Sequence, residues 1–329
     1  MSVSLLDQAP SILGIEIKSP NRARAHAPHT ALPVHARRPR LDAEATLPEA
    51  MRMLMRHALE HALANVPAIV ETGDVVAIHQ MRVGLRRLRS AVFAFEPVLD
   101  LTEAEELIVG VKQLFALLGN VREADVFLAE TLPTIPPSVL PKRRRTMLER
   151  ILATYRLAAL AELQAYLTGT DFAHMRAHLD GWIEDGDWLA DPATSDQPVR
   201  DFALDRLRHM RRKFAKLGKR AMAGSLDDWH RLRIMAKKLR YASESLMPAI
   251  GDIIDAGYGK RLSKLQDSLG HINDAHSVRA LLDRARHVAP ARSRQAYAGS
   301  MRACTGWGQA TARAASRKIA DDWSTFQAG

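Results

Sequence analysis

Two segments of the chain each carry a histidine followed by basic residues at helical spacing. The first motif begins at His79 and the second at His230, 151 residues later. In a helix, positions i, i+3 and i+7 share one face, so each motif predicts a stripe of cations able to hold an anion through charge-assisted hydrogen bonds. The basic residues are His79, Arg82, Arg86, Arg87 and Arg89 in the first motif and His230, Arg233, Lys237, Lys238 and Arg240 in the second.

Acidic residues are absent from both motifs. No Asp or Glu occurs between Asp74 and Glu96, nor between Asp228 and Glu244. A basic face that serves only solubility is the ordinary alternative, but such a face usually interleaves acids at i,i+4. Cations alone repel one another unless an anion joins them. Because successive helical turns place side chains about 5.4 Å apart, the stripes suit a linear polyanion better than one small anion.

The 151-residue offset continues without a gap beyond the motifs. The matched pairs there are Leu114 with Leu265, Leu118 with Leu269, Gly119 with Gly270, Val121 with Ile272, and Ala124 with Ala275. One register kept over this distance indicates an internal duplication. We therefore expect two repeated units whose cationic stripes face one shared cavity.

Composition and periodicity both favour helices. Aromatic residues make up only 5% of the chain, whereas strands favour aromatic and β-branched residues. Apolar spacing predicts helices at about 48–66, 74–97, 102–132 and 142–167, a short helix at 171–185, a loop, and then helices at about 198–221, 226–247, 252–286 and 290–327. Asp74 is the predicted N-cap of the first motif helix, and Gly119-Asn120 marks a kink or a close crossing. The pattern predicts an all-α fold of two antiparallel four-helix units.

The motifs resemble those of a known family. The sequence reads H-x-x-R-V-x-x-R-R-L-R from His79, H-x-x-R-I-x-x-K-K-L-R-Y from His230, and L-Q-D-S-L-G from Leu265, followed by I-N-D-A. These segments resemble CHAD, the conserved histidine α-helical domain, from about Leu47 to the C-terminus. The resemblance implies two pseudo-symmetric four-helix bundles around a central basic cavity that binds inorganic polyphosphate. The spacing alone indicates a paired anion site, and polyphosphate as the anion comes from the resemblance only.

In that family the domain often follows a triphosphate tunnel domain. Ile15-Glu16-Ile17-Lys18 is similar to a strand of such a domain, but it is a lone fragment. We therefore expect a stand-alone member, and the triphosphatase activity of the tunnel domain is not carried over. The predicted CHAD-like domain covers residues 46–329, with a first repeat at about 46–190 and a second at about 197–329.

Further residues could extend the predicted phosphate site. They are Arg52, Arg56, Lys213, Lys264 and Tyr241, of which the tyrosine could either hydrogen-bond a phosphate or simply pack. The motif histidines could donate a proton to phosphate, and a dense anion would raise the pKa of an imidazole beside it.

No cofactor and no metal site are expected. Neither motif histidine has a ligand partner at i+4, and the i, i+3, i+5 spacing of His271, Asp274 and His276 divides them across a helix face. Arg122-Glu123 and Asn273-Asp274 are predicted to tie helices together or to orient the cations. Cys304 is the single cysteine, which excludes an internal disulfide.

The net charge and the N-terminal segment limit the kinds of partner that we expect. The formal net charge is +10 and the pI is about 10, which favours an anionic partner. Residues 1–45 contain five prolines and five arginines and predict a flexible basic arm. The sequence shows no signal peptide and no run of 18 apolar residues. We expect a cytoplasmic protein without a membrane partner.

Three functions fit these observations. The first is non-catalytic polyphosphate binding, on polyphosphate granules or beside polyphosphate-metabolising enzymes. The second is a phosphohydrolase that uses His79 or His230 on polyphosphate or nucleotides, although no P-loop or carboxylate pair accompanies the motifs. The third is nucleic-acid binding, although the motifs lack interleaved aromatic residues for stacking bases.

Overall fold

The structure is a computed structural model that describes residues 31–328, except residues 38, 187, 223–225 and 252–255. Side chains are described in that part except at 103, 105, 226–227, 256, 270–276, 315–318, 320 and 328. This part of the chain is helical, with isolated bridges but no β-sheet. The predicted all-α class is confirmed.

The helices follow the predicted order. The first half contains α1 (Leu47–Leu63), α2 (Val66–Thr72), α3 (Val75–Phe95), α4 (Glu105–Val126), α5 (Leu132–Thr134), α6 (Lys142–Leu167) and α7 (Thr170–Asp185). The second half contains α8 (Val199–Met222), α9 (Leu226–Ile250), α10 (Ala256–Ala285) and α11 (Arg294–Ala328). The short helix α2 was not predicted, because its seven residues are too few to show a clear period.

Local capping fixes where the first motif helix begins. The side chain of Asp74 accepts hydrogen bonds from the backbone amides of Val76 and Ala77, both at 2.8 Å. Gly73 ends α2 in the left-handed conformation, with φ of 62°, which a residue without Cβ adopts at little cost. The first motif, on α3, therefore starts within two turns of a well-defined N-terminus.

The helix contacts occur in the same order in each half. In the first half α1 packs on α3, α3 on α4, and α4 on α6. In the second half α8 packs on α9, α9 on α10, and α10 on α11. Across the halves α3 packs on α9, while α10 and α11 contact α6. The two helices that carry the motifs, α3 and α9, are thus direct neighbours.

Buried apolar side chains join the two halves. One cluster combines Leu88 and Phe95 of α3 with Leu239 of α9 and Leu265 of α10. A second cluster combines Phe127 and Leu152 of the first half with Leu281 and Tyr297 of the second. Since burial of such side chains is the main favourable term in folding, the halves support each other's stability.

Residues 31–45, assigned to the arm on sequence grounds, contact the helices from Ala31 onward. The backbone amide of Val34 donates to Asn65 at 2.9 Å, and the backbone carbonyl of Arg37 accepts from Arg87 at 2.9 Å. The remainder of the predicted arm, residues 1–30, lies outside the described residues. The boundary between arm and domain stays a prediction. No described helix combines the length and apolar character needed to cross a bilayer.

Gly84 lies in the first motif at a close approach of α3 to α1. A Cβ there would lie 2.7 Å from the backbone nitrogen of Ala62. Backbone cannot move aside as a flexible side chain can, so Gly84→Ala should force α1 and α3 apart. We expect a loss of about 1–3 kcal/mol in the free energy of unfolding, measured by urea denaturation.

The matched control for that change is Gly181→Ala in α7. Apart from the adjoining residues of its own helix, no described atom lies within 4 Å of a Cβ at Gly181, so alanine should leave stability unchanged or raise it by up to about 1 kcal/mol. Equal effects at the two positions would contradict the role assigned to the close approach.

Candidate polyanion-binding site

The two motif helices line a common cavity of about 760 Å³. This first cavity is bounded by α3, α4, α7 and α9. Its lining contains four predicted residues of the first motif, two of the second, and one further cation: His79, Arg82, Arg86, Arg89, Lys237, Lys238 and Lys112. The structure therefore brings basic residues of both motifs together around one space.

A second cavity, of about 1030 Å³, adjoins the first. It contains the predicted residues Arg87 and Arg240, with further basic residues that the sequence analysis did not identify: Arg40, His57 and Arg211. Among the described residues, Arg86, Ser90 and Tyr241 line both cavities. They form the partition between the two spaces, so the predicted site is divided rather than continuous.

Arg82 is held against α4. Its Nη1 donates to the backbone carbonyl of Phe115 at 3.0 Å, and its guanidinium lies 4.3 Å from the centroid of the Phe115 ring. Burial lowers the pKa of this guanidinium, Glu123 opposes the shift, and the neighbouring Arg86 adds to it. The absence of a side chain at Gly119 gives the guanidinium of Arg82 the space it occupies, since a Cβ there would lie 3.1 Å from Nη1 of Arg82. The predicted feature at Gly119 is thus a close approach inside a continuous helix.

Three other motif cations also lie near aromatic rings. Arg86 lies 4.9 Å from the centroid of Tyr241, and Arg89 lies 5.6 Å from that of Phe115. Lys238 of α9 lies 4.5 Å from the ring of Phe93 on α3. These contacts hold the cations by cation–π attraction and occupy ring faces that a nucleobase would need for stacking.

His79 is half-buried in the lining of the first cavity. Burial lowers the pKa of its imidazole, and the neighbouring Arg122, Arg86 and Arg82 lower it further, while Glu130 opposes them. The neutral imidazole is therefore favoured before any anion arrives.

The family assignment follows from comparison with known proteins. The model of the CHAD domain matches residues 53–283. The chain belongs to the CHAD family. Its structure is similar to the crystal structure of the CHAD domain from the plant Ricinus communis, with a TM-score of 0.69 and 27% identity over 93% of this chain and 98% of that one. It also shares its fold with PptA from Streptomyces chartreusis, with a TM-score of 0.63 and 17% identity over 85% of this chain and 100% of that one. No curated protein matches the chain.

The first residues of the second CHAD motif are placed differently from those of the first. His230 is exposed and Arg233 half-buried, and neither is among the described residues lining the two cavities. Arg240 pairs with Glu244 at 3.0 Å and donates to Gln266 at 3.1 Å. The part of α9 that lines the first cavity begins one residue after Arg233, with Ile234, and continues with Lys237, Lys238 and Tyr241.

The additional candidates have varied surroundings. Arg52 donates to the backbone carbonyl of Ile183 at 3.3 Å, and Arg56 pairs with Glu184, so both hold α7 against α1. Lys213 and Lys264 are exposed and outside the described linings of both cavities.

Tyr241 has its ring near two guanidinium groups, those of Arg86 and Arg240. Packing of this ring, one of the two alternatives, is therefore observed. A hydrogen bond from its hydroxyl to phosphate stays a prediction.

Sequence reasoning missed the contribution of α4. Lys112 and Phe115 lie at i, i+3 spacing on the face of α4 that meets the motif cations. The sequence signal that could have indicated this contribution was the duplication, which pairs α4 with α10. It does not show which face of either helix meets the motif cations. The predicted tie at Arg122-Glu123 is seen as an ion pair between Glu123 and Arg284 of α10. The side chains of His271, Asn273, Asp274 and His276 lie outside the described residues.

The single cysteine lies apart from both cavities. Cys304 is buried, and burial raises the pKa of its thiol to about 11, which keeps it protonated at neutral pH. Among the side chains that the structure describes, no group of three or more His, Cys, Asp or Glu could hold a metal ion.

Proposed function

We propose that this CHAD protein binds inorganic polyphosphate along the basic residues of its two motif helices and does not cleave it. The observation that carries the proposal is the first cavity, where cations of α3 and α9 converge. One carboxylate is found in its described lining, that of Glu96, and it pairs with Arg206 at 3.5 Å. Carboxylates of the described lining therefore leave most of the positive charge of the cavity unneutralised, and this charge attracts an anion that carries one negative charge per repeating unit.

The repeated order of helix contacts supports the finer architecture. In our proposal α1, α3, α4 and α6 form one four-helix bundle, and α8, α9, α10 and α11 form its pseudo-symmetric partner. The two cavities beside the crossing of α3 and α9 then make up the central basic site of the domain. Arg87 and Arg240 in the second cavity would extend the binding tract beyond the partition.

Competition binding tests the ligand class. A fluorescent polyphosphate is bound to the protein and then displaced by unlabelled polyphosphate, duplex DNA or RNA, with each competitor's concentration expressed per negative charge. Polyphosphate should displace the probe at a lower concentration than either nucleic acid, at both 50 and 200 mM salt. A polyanion bound mainly by charge loses affinity as salt rises, so both salt concentrations are needed. Equal displacement by duplex DNA would favour the nucleic-acid alternative.

Turnover assays test the non-catalytic part. Incubation of the protein with polyphosphate or nucleoside triphosphates, with and without Mg²⁺ or Mn²⁺, should release no phosphate above the background of buffer. Metal-dependent release that disappears in His79→Ala would instead support the phosphohydrolase alternative.

Binding should strengthen as the pH falls. Burial and neighbouring arginines lower the pKa of His79 in the free protein, and a bound polyanion would raise it. Binding then takes up a proton, so the gain in affinity begins as the pH falls through the pKa of the complex and is complete below that of the free protein. Calorimetry between pH 8 and pH 5 should show this gain.

The variant His79→Gln isolates that proton. This variant should lose most of the pH dependence of binding while keeping its affinity at pH 8. The control His174→Gln, at an exposed histidine of α7, should keep the pH dependence. An unchanged pH profile in His79→Gln would assign the proton uptake to another group.

The cellular part of the proposal concerns place and partners. Retention of the polymer without hydrolysis suits a protein that organises polyphosphate granules or recruits polyphosphate-metabolising enzymes to them. Labelled protein should co-localise with granules, and Arg82→Ala should reduce that co-localisation relative to Arg144→Ala.

A further inference from the structure

One end of the first cavity is apolar, and a polyphosphate chain would leave it unused. The lining there comes from three helices: Val92 and Phe93 of α3, Leu107, Ile108 and Val111 of α4, and Trp182 of α7. Inorganic phosphate has no apolar surface, so it gains nothing from these side chains. The apolar end needs a different explanation from the cationic end.

The two ends are separated along α3. His79 and Arg82 mark the cationic end, and Phe93 lies in the apolar end. With a rise of 1.5 Å per residue, the 14 residues from His79 to Phe93 span about 21 Å. Lys238 reaches the Phe93 end, 4.5 Å from the ring centroid, and Glu96 also lines the cavity. The surface that suits an apolar tail is therefore the wall formed by Leu107, Ile108, Val111 and Trp182, and the cavity offers both cations for a head and an apolar wall for a tail.

We propose that this cavity binds an anionic amphiphile, an alkyl or acyl chain that ends in a phosphate or a carboxylate. The head accepts hydrogen bonds near Arg82 and Arg86, and Nε of Arg86 is a buried donor without a partner in the described part of the chain. The tail packs against Ile108 and Trp182. A mostly aliphatic wall disfavours a nucleobase, whose polar edge would lie buried and unpaired.

The size of the cavity agrees with such a ligand. Its volume of about 760 Å³ falls in the range of about 300–1,000 Å³ that is typical of small-molecule pockets, which are mainly apolar with a few polar groups that orient the ligand. This inference does not depend on polyphosphate binding, although both ligands would use the same arginines and should therefore compete.

Alkyl phosphates and carboxylates of increasing length test the proposal. Hexyl, octyl and decyl phosphate, with hexanoate, octanoate and decanoate, are titrated below their micelle concentrations and followed by tryptophan fluorescence and calorimetry. Affinity should rise about three- to fourfold for each added methylene until the tail fills the apolar end. The two series show which head is preferred. Affinity independent of tail length, or equal binding of the uncharged octyl glucoside, would overturn the proposal.

Adjacent residues of α4 provide a matched pair of variants. Ile108 lines the cavity, whereas Val109 is 63% exposed and outside the lining. Ile108→Asn should weaken decyl phosphate binding at least tenfold and leave polyphosphate binding unchanged, while Val109→Asn should change neither. Equal losses in both variants would overturn the proposal.

A bulkier variant guards against misfolding of Ile108→Asn. Ile108→Trp keeps the wall apolar but fills space, so it should weaken decyl phosphate more than hexyl phosphate. Equal weakening of both tails would contradict the assigned place of the tail. Binding of decyl phosphate without any binding of polyphosphate would sink the proposed function and leave this inference standing.

Discussion

Replacing Arg82 with alanine should weaken polyphosphate binding by about 10- to 100-fold. Its guanidinium is positioned by the carbonyl and ring of Phe115 at the wall of the first cavity, where a charge-assisted hydrogen bond contributes about 1.5–3 kcal/mol. Calorimetry at fixed salt gives the difference in affinity. The loss should also flatten the dependence of log affinity on log salt by somewhat less than one unit, by analogy with phosphate contacts on nucleic acids.

The control is Arg144→Ala. Arg144 is exposed at the start of α6 and lies outside the linings of both cavities, and a screened surface charge contributes at most about 1 kcal/mol. Arg233→Ala should fall between the two, because Arg233 belongs to the second motif but not to the described lining of either cavity. Equal losses at all three positions would mean that polyphosphate binds a diffuse basic surface. If thermal melts show that Arg82→Ala is unfolded, the role of this arginine is structural.

The helices could be predicted because local signals mark them. Asp74 lies at the N-cap position where the sequence predicts a helix to begin, and the structure shows its side chain accepting two backbone hydrogen bonds. The duplication was equally informative, since one register paired α3 with α9 and α4 with α10. Both signals are short-range or internal to the sequence, so neither needs knowledge of tertiary packing.

Tertiary placement of individual cations could not be predicted in the same way. Arg52 and Arg82 look alike in sequence, as arginines on an amphipathic helix. Both donate to a backbone carbonyl of a neighbouring helix, but Arg82 lines the first cavity and Arg52 lies outside the described linings of both cavities. The difference comes from which helix faces each side chain. The partition by Arg86 and Tyr241 has the same origin, because it arises only where α3 crosses α9.

Replacing Arg156 with leucine should reduce the free energy of unfolding by about 3–5 kcal/mol at pH 7. Arg156 of α6 pairs with Asp125 of α4, and their side chains are only 19% and 7% exposed. Removal of one partner leaves a buried charge without compensation, which is far costlier than the loss of a surface pair. Arg150→Leu, at an exposed position of the same helix, should change stability by no more than about 0.5 kcal/mol.

The pH dependence of that loss distinguishes charge from packing. Burial already raises the pKa of Asp125, and Arg156 opposes the shift, so the variant should raise this pKa further. A carboxyl whose pKa is higher in the folded state than in the unfolded state favours folding as the pH falls through the folded-state pKa. The penalty should therefore be full above that pKa and smaller below it, and urea unfolding at pH 7 and pH 5, with the wild-type change subtracted, measures the difference. The double variant Arg156→Leu/Asp125→Asn should recover most of the loss, because a neutral amide costs less to bury than a carboxylate. A penalty that is the same at both pH values and persists in the double variant would mean that Arg156 stabilises the contact between α4 and α6 through packing alone.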